Sequence, residues 1–380
     1  MTGDDRFEFA LAGPADEPEI RRLVGATPMP GSIALRFERE PDYFLGTTIM
    51  GDPCDVIVAR HLPDGELAGI TCRAERPAFV NGRETTIGYI GQIRVAERFR
   101  GHGRRLMQRG LPLFYRRSPR DLLYWGVTAR ENPRARALLV EKRPPGDLAA
   151  TRLSGWTTFG LVLRRQHRDR APVTGLARGS PGLALERGSL DTIEETVAFL
   201  RRCGARRQLF PAYRVEDFLG GRLLRGLALE DVAIARLGGS IVGVVAAWDQ
   251  SAYKQDVVVA YRGALRWLRP AYDVGARLIG ARPLPRVGQA IPAAYASCVC
   301  IENDDPEILR ALLRSVAGRA FDRGFAFLLL GLADADPLLA AARRWPRITY
   351  HSDLFALTWG APGVLAGLDG RLPYIEIATL

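Results

Sequence analysis

A tandem pair of mixed α/β domains is the fold class this 380-residue sequence predicts, and three observations predict it. The first is an element order of strand, helix, antiparallel hairpin, long strand, helix, strand, helix and strand, read from stretches that alternate between two-residue and 3.6-residue apolar periods. The second is a strand that turns through two glycines into a helix between Tyr89 and Met107. The third is an internal echo. Asp16/Asp191, Asp55/Asp231 and Gly69/Gly243 stand 175, 176 and 174 residues apart in similar local sequence, a common spacing that argues for duplication.

In chain order, Phe7, Phe9 and Leu11 alternate along a short strand. Asp16 and Glu19 have the spacing of a capping box ahead of a helix striped by Ile20, Leu23 and Val24. Thr27 to Gly51 is a long connection whose SIALRFEREPDYF is expected to be helical in part. DVIVAR (Asp55 to Arg60), the turn Leu62 to Gly65 and the run Leu67 to Arg73 make a hairpin. Asn81-Gly82 marks the next turn, and the strand that follows runs to Val95. Leu106, Met107, Gly110, Leu113 and Phe114 then recur at helical spacing, with a kink expected at Pro112. Asp121 to Thr128 is the next strand, Asn132-Pro133 opens a helix bearing Ala135, Leu138 and Leu139, and Trp156 to Leu163 closes the half.

Between strand and helix lies R-x-x-G-x-G, carried by Arg98, Gly101 and Gly103, with Arg100, Arg104 and Arg105 around it. A helix N-terminus presents backbone N–H groups at the positive end of its dipole, and glycine lets a phosphate approach them without a Cβ in the way. The plain alternative is a strand–turn–helix connection with incidental glycines; the arginines and the flanking elements favour the anion cradle. The motif is neither a dinucleotide fingerprint nor a P-loop, because Arg104 and Arg105 follow the second glycine.

With Val95, Arg98, Gly101, Gly103 and Leu106 in place, the sequence resembles the GCN5-related N-acetyltransferase superfamily, whose acyl-CoA pyrophosphate loop reads Q/R-x-x-G-x-G/A after a strand. The resemblance covers about residues 7 to 163. It implies central strands that part to admit pantetheine, and acetyl-CoA or another acyl-CoA as co-substrate with no metal. It also implies a cofactor-binding set of Ile93, Arg94, Val95, Arg98, Arg100, Gly101, His102, Gly103, Arg104, Arg105 and Asn132. The implied chemistry is attack of an amine on the thioester, which requires loss of a proton first. Tyr89, at a position where histone-type members carry glutamate, Gln92 and Tyr124 are the candidates near that chemistry. The tyrosine that commonly protonates the leaving thiolate is replaced here by Leu139, a departure from the family pattern.

Residues 1–165 thus form the first domain, 166–182 a polar linker, and 183–380 a second copy. In that copy Leu183 to Leu185 is a strand, Asp191 and Glu194 precede a helix, and Asp231 to Arg236 with Val242 to Val244 form a hairpin. An extra segment, about Ser251 to Ile291, separates the hairpin from the strand Ala294 to Ile301. Glu302-Asn303-Asp304-Asp305-Pro306 replaces the glycine-arginine cradle, and carboxylates there repel a pyrophosphate. The second copy is therefore expected to be degenerate. Phe325 to Gly331 and Ile348 to Trp359 are its last strands, and LPYIEIATL is read as an edge strand.

Composition narrows the partners. The net charge is +11, yet Lys142 and Lys254 are the only lysines, and the arginines are spread over both halves. Nucleic acid is a weaker expectation than compositional bias, since no basic stripe longer than RRQHRDR (Arg164 to Arg170) occurs. Five cysteines show no metal spacing and read as buried thiols in a reducing compartment. The polar start MTGDDRFEF and the lack of an apolar run near 18 residues lead to a cytoplasmic expectation, with no membrane span and no membrane among the partners. Two functions stand: an N-acetyltransferase acting on a primary amine of a small metabolite or protein, as monomer or homodimer, or a non-catalytic acyl-CoA sensor.

Overall fold

The computed structural model describes residues 6–29, 31–117, 122–132, 148–170, 175–176, 182–359 and 362–380. The first half contributes β1 (Phe7–Leu11), α1 (Glu17–Ala26), β2 (Ile33–Glu38), α2 (Tyr43–Thr47), β3 (Cys54–His61), β4 (Leu67–Val80), β5 (Arg83–Val95), α3 (Gly103–Arg117), β6 (Tyr124–Ala129) and β7 (Leu148–Val162). The second contributes α4 (Arg165–Arg170), β8 (Gly175–Leu176), β9 (Leu183–Arg187), α5 (Ile193–Gly204), α6 (Val215–Phe218), β10 (Val232–Leu237), β11 (Ser240–Trp248), β12 (Gln255–Tyr261), α7 (Ala264–Leu278), β13 (Ala293–Ile301), α8 (Pro306–Asp322), β14 (Phe327–Ala333) and β15 (Arg347–Trp359). The stretch expected as a linker, 166–182, thus carries most of α4 and the short β8. The expected N-x-x-A helix, with Ala135, Leu138 and Leu139, lies outside the described residues from Pro133 onward.

Thirteen strands form one sheet in the order β1-β3-β4-β5-β6-β15-β7-β14-β13-β11-β10-β9-β8. Its described pairings are antiparallel except β5 with β6 and β13 with β14. These two parallel junctions are the centres of the two copies. Between them the closing strands are exchanged: β15 lies between β6 and β7, while β7 runs on to pair with β14. Each half therefore completes its sheet with the last strand of the other.

Local chemistry accounts for many boundaries. Asn81 and Gly82 both adopt left-handed φ, 52° and 77°, as a two-residue hairpin turn between β4 and β5 requires. Asp305 caps α8 by accepting the Glu307 N–H at 2.8 Å. At α1 the expected capping box is not made. Asp16 and Glu19 both bind Arg60, and Asp16 Oδ2 accepts the Gly13 N–H at 2.8 Å. The expected helix within SIALRFEREPDYF is confined to α2. Ile33 to Glu38 is instead a strand because it pairs with β12, from Ile33 with Tyr261 to Glu38 with Gln255, a partner supplied by the extra segment 251–291. The terminal LPYIEIATL is likewise no edge strand; Tyr374 to Thr379 is buried irregular chain ending in a 3₁₀ turn.

The exchanged strands are tied by charge as well as by their ladders. Asp353 on β15 accepts from Arg130 Nε at 3.1 Å and Arg152 Nε at 2.9 Å, both from the first half. Burial pushes its carboxyl up, but Arg152 and Arg130 outweigh this and hold it below the ordinary value. A carboxyl lowered on folding contributes stability above its unfolded value of about 3.9 and loses it as the pH falls through the folded value. Asp353→Asn is expected to cost about 1–3 kcal/mol at neutral pH. The check is the urea midpoint at constant slope, with a smaller wild-type-to-variant gap in acid.

Candidate active site

β5 and β6 pair in register only at Gly88 with Tyr124 and Tyr89 with Trp125, then part. The parting coincides with a bulge. Gly91 faces Cys72 and Arg94 faces Ile70, so β5 has one residue too many, and Gln92 takes a left-handed φ of 52°. The second copy repeats this. β13 and β14 pair from Ala293 to Tyr295, after which Cys298 takes φ 54° at an equivalent register shift. Parting parallel strands expose main-chain groups that need partners.

In the second copy those partners come from the C-terminal tail. Cys298 N–H donates to Glu376 Oε2 at 2.9 Å and Val299 N–H to the Tyr374 hydroxyl at 3.1 Å. Gly331 on the opposite strand abuts Ile377, so the wedge is filled from both sides. The acidic turn beyond it is neutralised internally: Asp304 pairs with Arg207 at 2.5 Å, and Glu302 with Arg202 at 3.0 Å and Arg206 at 2.8 Å.

The first copy's wedge leads to a different end. Val95 is followed by a 3₁₀ turn, Glu97–His102, that runs directly into α3. Phe99 anchors the turn against Phe7 and His61, with ring centroids 5.7 and 5.1 Å away. A Cβ on Gly101 would enter open space, and one on Gly103 would reach only Val95 Cγ2 at 3.9 Å. Arg100, Arg104 and Arg105 are exposed around this opening, with Arg100 held 2.8 Å from Glu97. Arg98, the leading residue of the motif, is turned to the β3–β4 hairpin, where Asp64 at 2.7 Å and Glu66 at 2.5 Å bind it. His102 stacks edge-on to Phe7 at 5.6 Å, and Asn132 is exposed just beyond β6. Beside the turn, an apolar groove between β5 and α3 is lined by Ile90, Ile93, Val95, Leu106 and Met107. The opening, its arginines and the groove suit a diphosphate followed by an apolar-walled arm.

The three candidates for chemistry do not converge. Tyr89 and Trp125 meet with tilted rings, centroids 4.6 Å apart, on the α1 face of the sheet. Tyr124, one residue before Trp125, points to the opposite face, where its hydroxyl accepts from Arg73 Nε at 3.3 Å and its ring meets Trp359 at 4.6 Å. Tyr124 is thus fully buried among Phe114, Leu357 and Trp359. Gln92 has its Oε1 buried with no hydrogen-bond partner among the described residues. Arg94 turns from the cradle to lie over Phe37 at 5.7 Å. Burial, with Cys72 adding, raises the Tyr89 hydroxyl above the usual tyrosine value, so it keeps its proton and can donate a hydrogen bond without acting as a base.

A buried polar cluster beside Tyr89 escaped the sequence reading. Arg76 shares the Tyr89 face of the β4–β5 pair, lies 5.5 Å from the Trp125 ring and donates to Thr379 Oγ1 at 3.4 Å. Its Nε and Nη2 are buried without partners among the described residues. Glu376 is raised by burial although the Cys298 and Ala378 amides oppose the shift. Lys254 Nζ donates to Ala378 O at 2.9 Å and lies 4.5 Å from the Tyr295 ring centroid. Burial first and Arg39 second push its pKa down to about 7. The same Arg39 bears on Tyr89, so the cluster is electrostatically continuous with β5. The only hint in the sequence was that Lys254 is one of two lysines among 53 basic side chains.

No family model and no curated protein sequence matches the chain. Solved structures do resemble it. N-myristoyltransferase of Saccharomyces cerevisiae with bound myristoyl-CoA aligns with TM-score 0.59 at 10% identity, over 94% of this chain and 83% of that one. A GCN5-related N-acetyltransferase from Sphaerobacter thermophilus aligns at 0.55 and 15%, over 100% of both chains. The GCN5-related glucosamine N-acetyltransferase region of a fungal multi-domain GH3 β-N-acetylglucosaminidase aligns at 0.56 and 13%, over 92% of this chain and 38% of that one. The chain has the GCN5-related N-acetyltransferase fold, in two copies. At these identities the likeness fixes the GNAT architecture and leaves the chemistry to the residues.

Lys254 offers a test of this GNAT-fold interior that needs no substrate. Its folded pKa of about 7 lies below the unfolded value of about 10.4, so between the two the unfolded chain binds more protons and stability rises with pH. Lys254→Met is expected to flatten that rise, measured by urea denaturation at pH 7, 8 and 9.

Proposed function

We propose that the chain is an acyl-CoA-dependent N-acyltransferase whose co-substrate binds the first copy. The observation that carries this reading is the conjunction of parted strands at the Gln92 bulge with an arginine-rimmed turn that is open at Gly101. The second copy's bulge amides are already taken by Glu376 and Tyr374. In this reading Arg100, Arg104 and Arg105 hold the diphosphate, while Ile93 and Val95 line the arm. His102 and Gly103 shape the turn, and Arg98 fixes it to the β3–β4 hairpin. The domain division that goes with it is 1–165, a joining stretch 166–182, and 183–380, with the closing strands exchanged.

The thioester supplies an acyl carbonyl with a leaving thiolate. A primary amine of a small metabolite or a protein is the acceptor, and acetyl is the acyl group we favour. The amine first gives up one proton, its lone pair then forms the new C–N bond as the C–S bond breaks, and the second proton shed as the amide forms goes to the departing thiolate. Lys254, whose Nζ sits 2.9 Å from the Ala378 carbonyl and whose pKa is pushed down to about 7, is the group we assign to accept the first proton, and we assign main-chain N–H groups at the bulge to the carbonyl oxygen. Tyr89 donates a hydrogen bond at the leaving side in place of the helix tyrosine that the sequence replaces with Leu139.

Gly101→Glu places a carboxylate in open space, so the fold is kept while the cradle's charge is reversed. Isothermal titration with acetyl-CoA is expected to show a loss of affinity of about tenfold or more for this variant. Equal affinities in wild type and variant would remove the assignment. Binding without release of free thiol across a broad amine panel would favour the sensor instead.

A further inference from the structure

The extra segment builds a surface that nothing in the acyl-transfer reading uses. α7 packs its inner face, Leu265, Tyr272 and Ala276, on a core with Val258, Tyr261 and Leu284, which fixes its rotation. Its outer face then presents Ala264, Trp267, Leu268, Ala271, Val274 and Leu278, a continuous stripe at helical spacing. Trp267 is 76% exposed, Leu268 58%, Val274 58% and Leu278 83%, and Ile279 and Val287 extend the patch. A helix of ordinary design shows its polar side to water; this one shows its apolar side.

Charge selects the occupant. Residues 262–289 hold six arginines and a single carboxylate, Asp273. Asp273 lies on the inner side, where it accepts the Leu284 N–H at 2.9 Å and faces Arg269. Arg269 lies over the Tyr261 ring, and Arg282 donates inward to Phe321 O at 3.1 Å. Arg262, Arg266, Arg277 and Arg286 remain exposed beside the stripe. An apolar strip with a tryptophan, bordered by arginines without exposed carboxylates, matches the acyl boundary and anionic headgroups of a lipid surface. A second copy of the chain would set one group of arginines against another.

We propose that the outer face of α7 docks on an anionic bilayer surface, with Trp267, Leu268, Val274 and Leu278 in the headgroup boundary and the four arginines on lipid phosphates. No spanning segment is involved; among the described residues no helix is long and apolar enough to cross a membrane. Docking at this face does not depend on acyl transfer at β5.

The test uses the full chain with phosphatidylcholine vesicles, with and without phosphatidylserine. The other five tryptophans are buried, so the exposed-tryptophan fluorescence reports Trp267. Co-sedimentation with the anionic vesicles, a blue shift and protection from acrylamide are expected, all weakened by added salt. The double variant Trp267→Ser, Leu278→Ser, altered only at exposed positions, is expected to lower partitioning about tenfold or more with an unchanged thermal midpoint. No binding to either vesicle, or equal binding to both, overturns the proposal. So does concentration-dependent self-association in plain buffer that the same double variant abolishes, an outcome that gives the face to a second copy.

Discussion

Two parallel strands that diverge leave main-chain groups facing each other too far apart to bond, and a protein interior does not tolerate such groups without other partners. This constraint organises the molecule twice. At β13 and β14 the chain answers it from within, with the carboxylate of Glu376 and the hydroxyl of Tyr374 meeting the bulge amides. At β5 and β6 the same bulge is followed by an open glycine turn and an apolar groove. One fold used twice therefore yields one wedge closed by protein and one that leads to an open turn and groove, which is the asymmetry the proposed function rests on.

The exchange of β7 and β15 makes the two copies inseparable. If β15 were withdrawn, β6 would keep only its two-residue pairing with β5; if β7 were withdrawn, β14 would lose its antiparallel neighbour. β2 and β12 add a second, smaller sheet across the same divide. Asp353, bound to Arg130 and Arg152, sits on this shared seam. The extra segment 251–291 is consequently no appendage: it supplies the strand that turns Ile33 to Glu38 into β structure and it carries Lys254 at its start.

Local signals were legible in the sequence because their causes are local. β5 ends at Val95 where the alternation stops, Asn81-Gly82 makes its turn through left-handed φ, and the echoes near 175 residues fall on paired elements of the two copies. What was not legible depends on partners distant in the chain. Asp16 and Glu19 have the spacing of a capping box, yet Arg60 on β3 competes for both carboxylates. Arg98 fits a phosphate motif, yet Asp64 and Glu66 claim its guanidinium. Tyr124 was one residue out of register with Tyr89, and in a strand one residue is the difference between faces. The alternating apolar residues of the tail read as a strand because nothing local reveals that both of its sides are to be buried in a wedge.

That tail also links the second copy to the first copy's β4–β5 pair. Wedged at Cys298 and Val299, it brings Glu376 and Thr379 to Arg76, two residue pairs along the ladder from Tyr89 and on the same face, and holds Lys254 through the Ala378 carbonyl. Around these residues the arginines Arg39, Arg76 and Arg94 outnumber the carboxyls of Glu376 and Asp256, and burial lowers Arg76, Arg94 and Lys254 because each charge lacks water. An interior with surplus positive charge disfavours an incoming ammonium ion and favours negative charge developing on an acyl oxygen. On the proposed reading, such a site admits the amine only as it sheds its proton, and a lysine poised near pH 7 is the group able to take that proton there. The second copy then acts as the scaffold that sets the charge of the first copy's acceptor side.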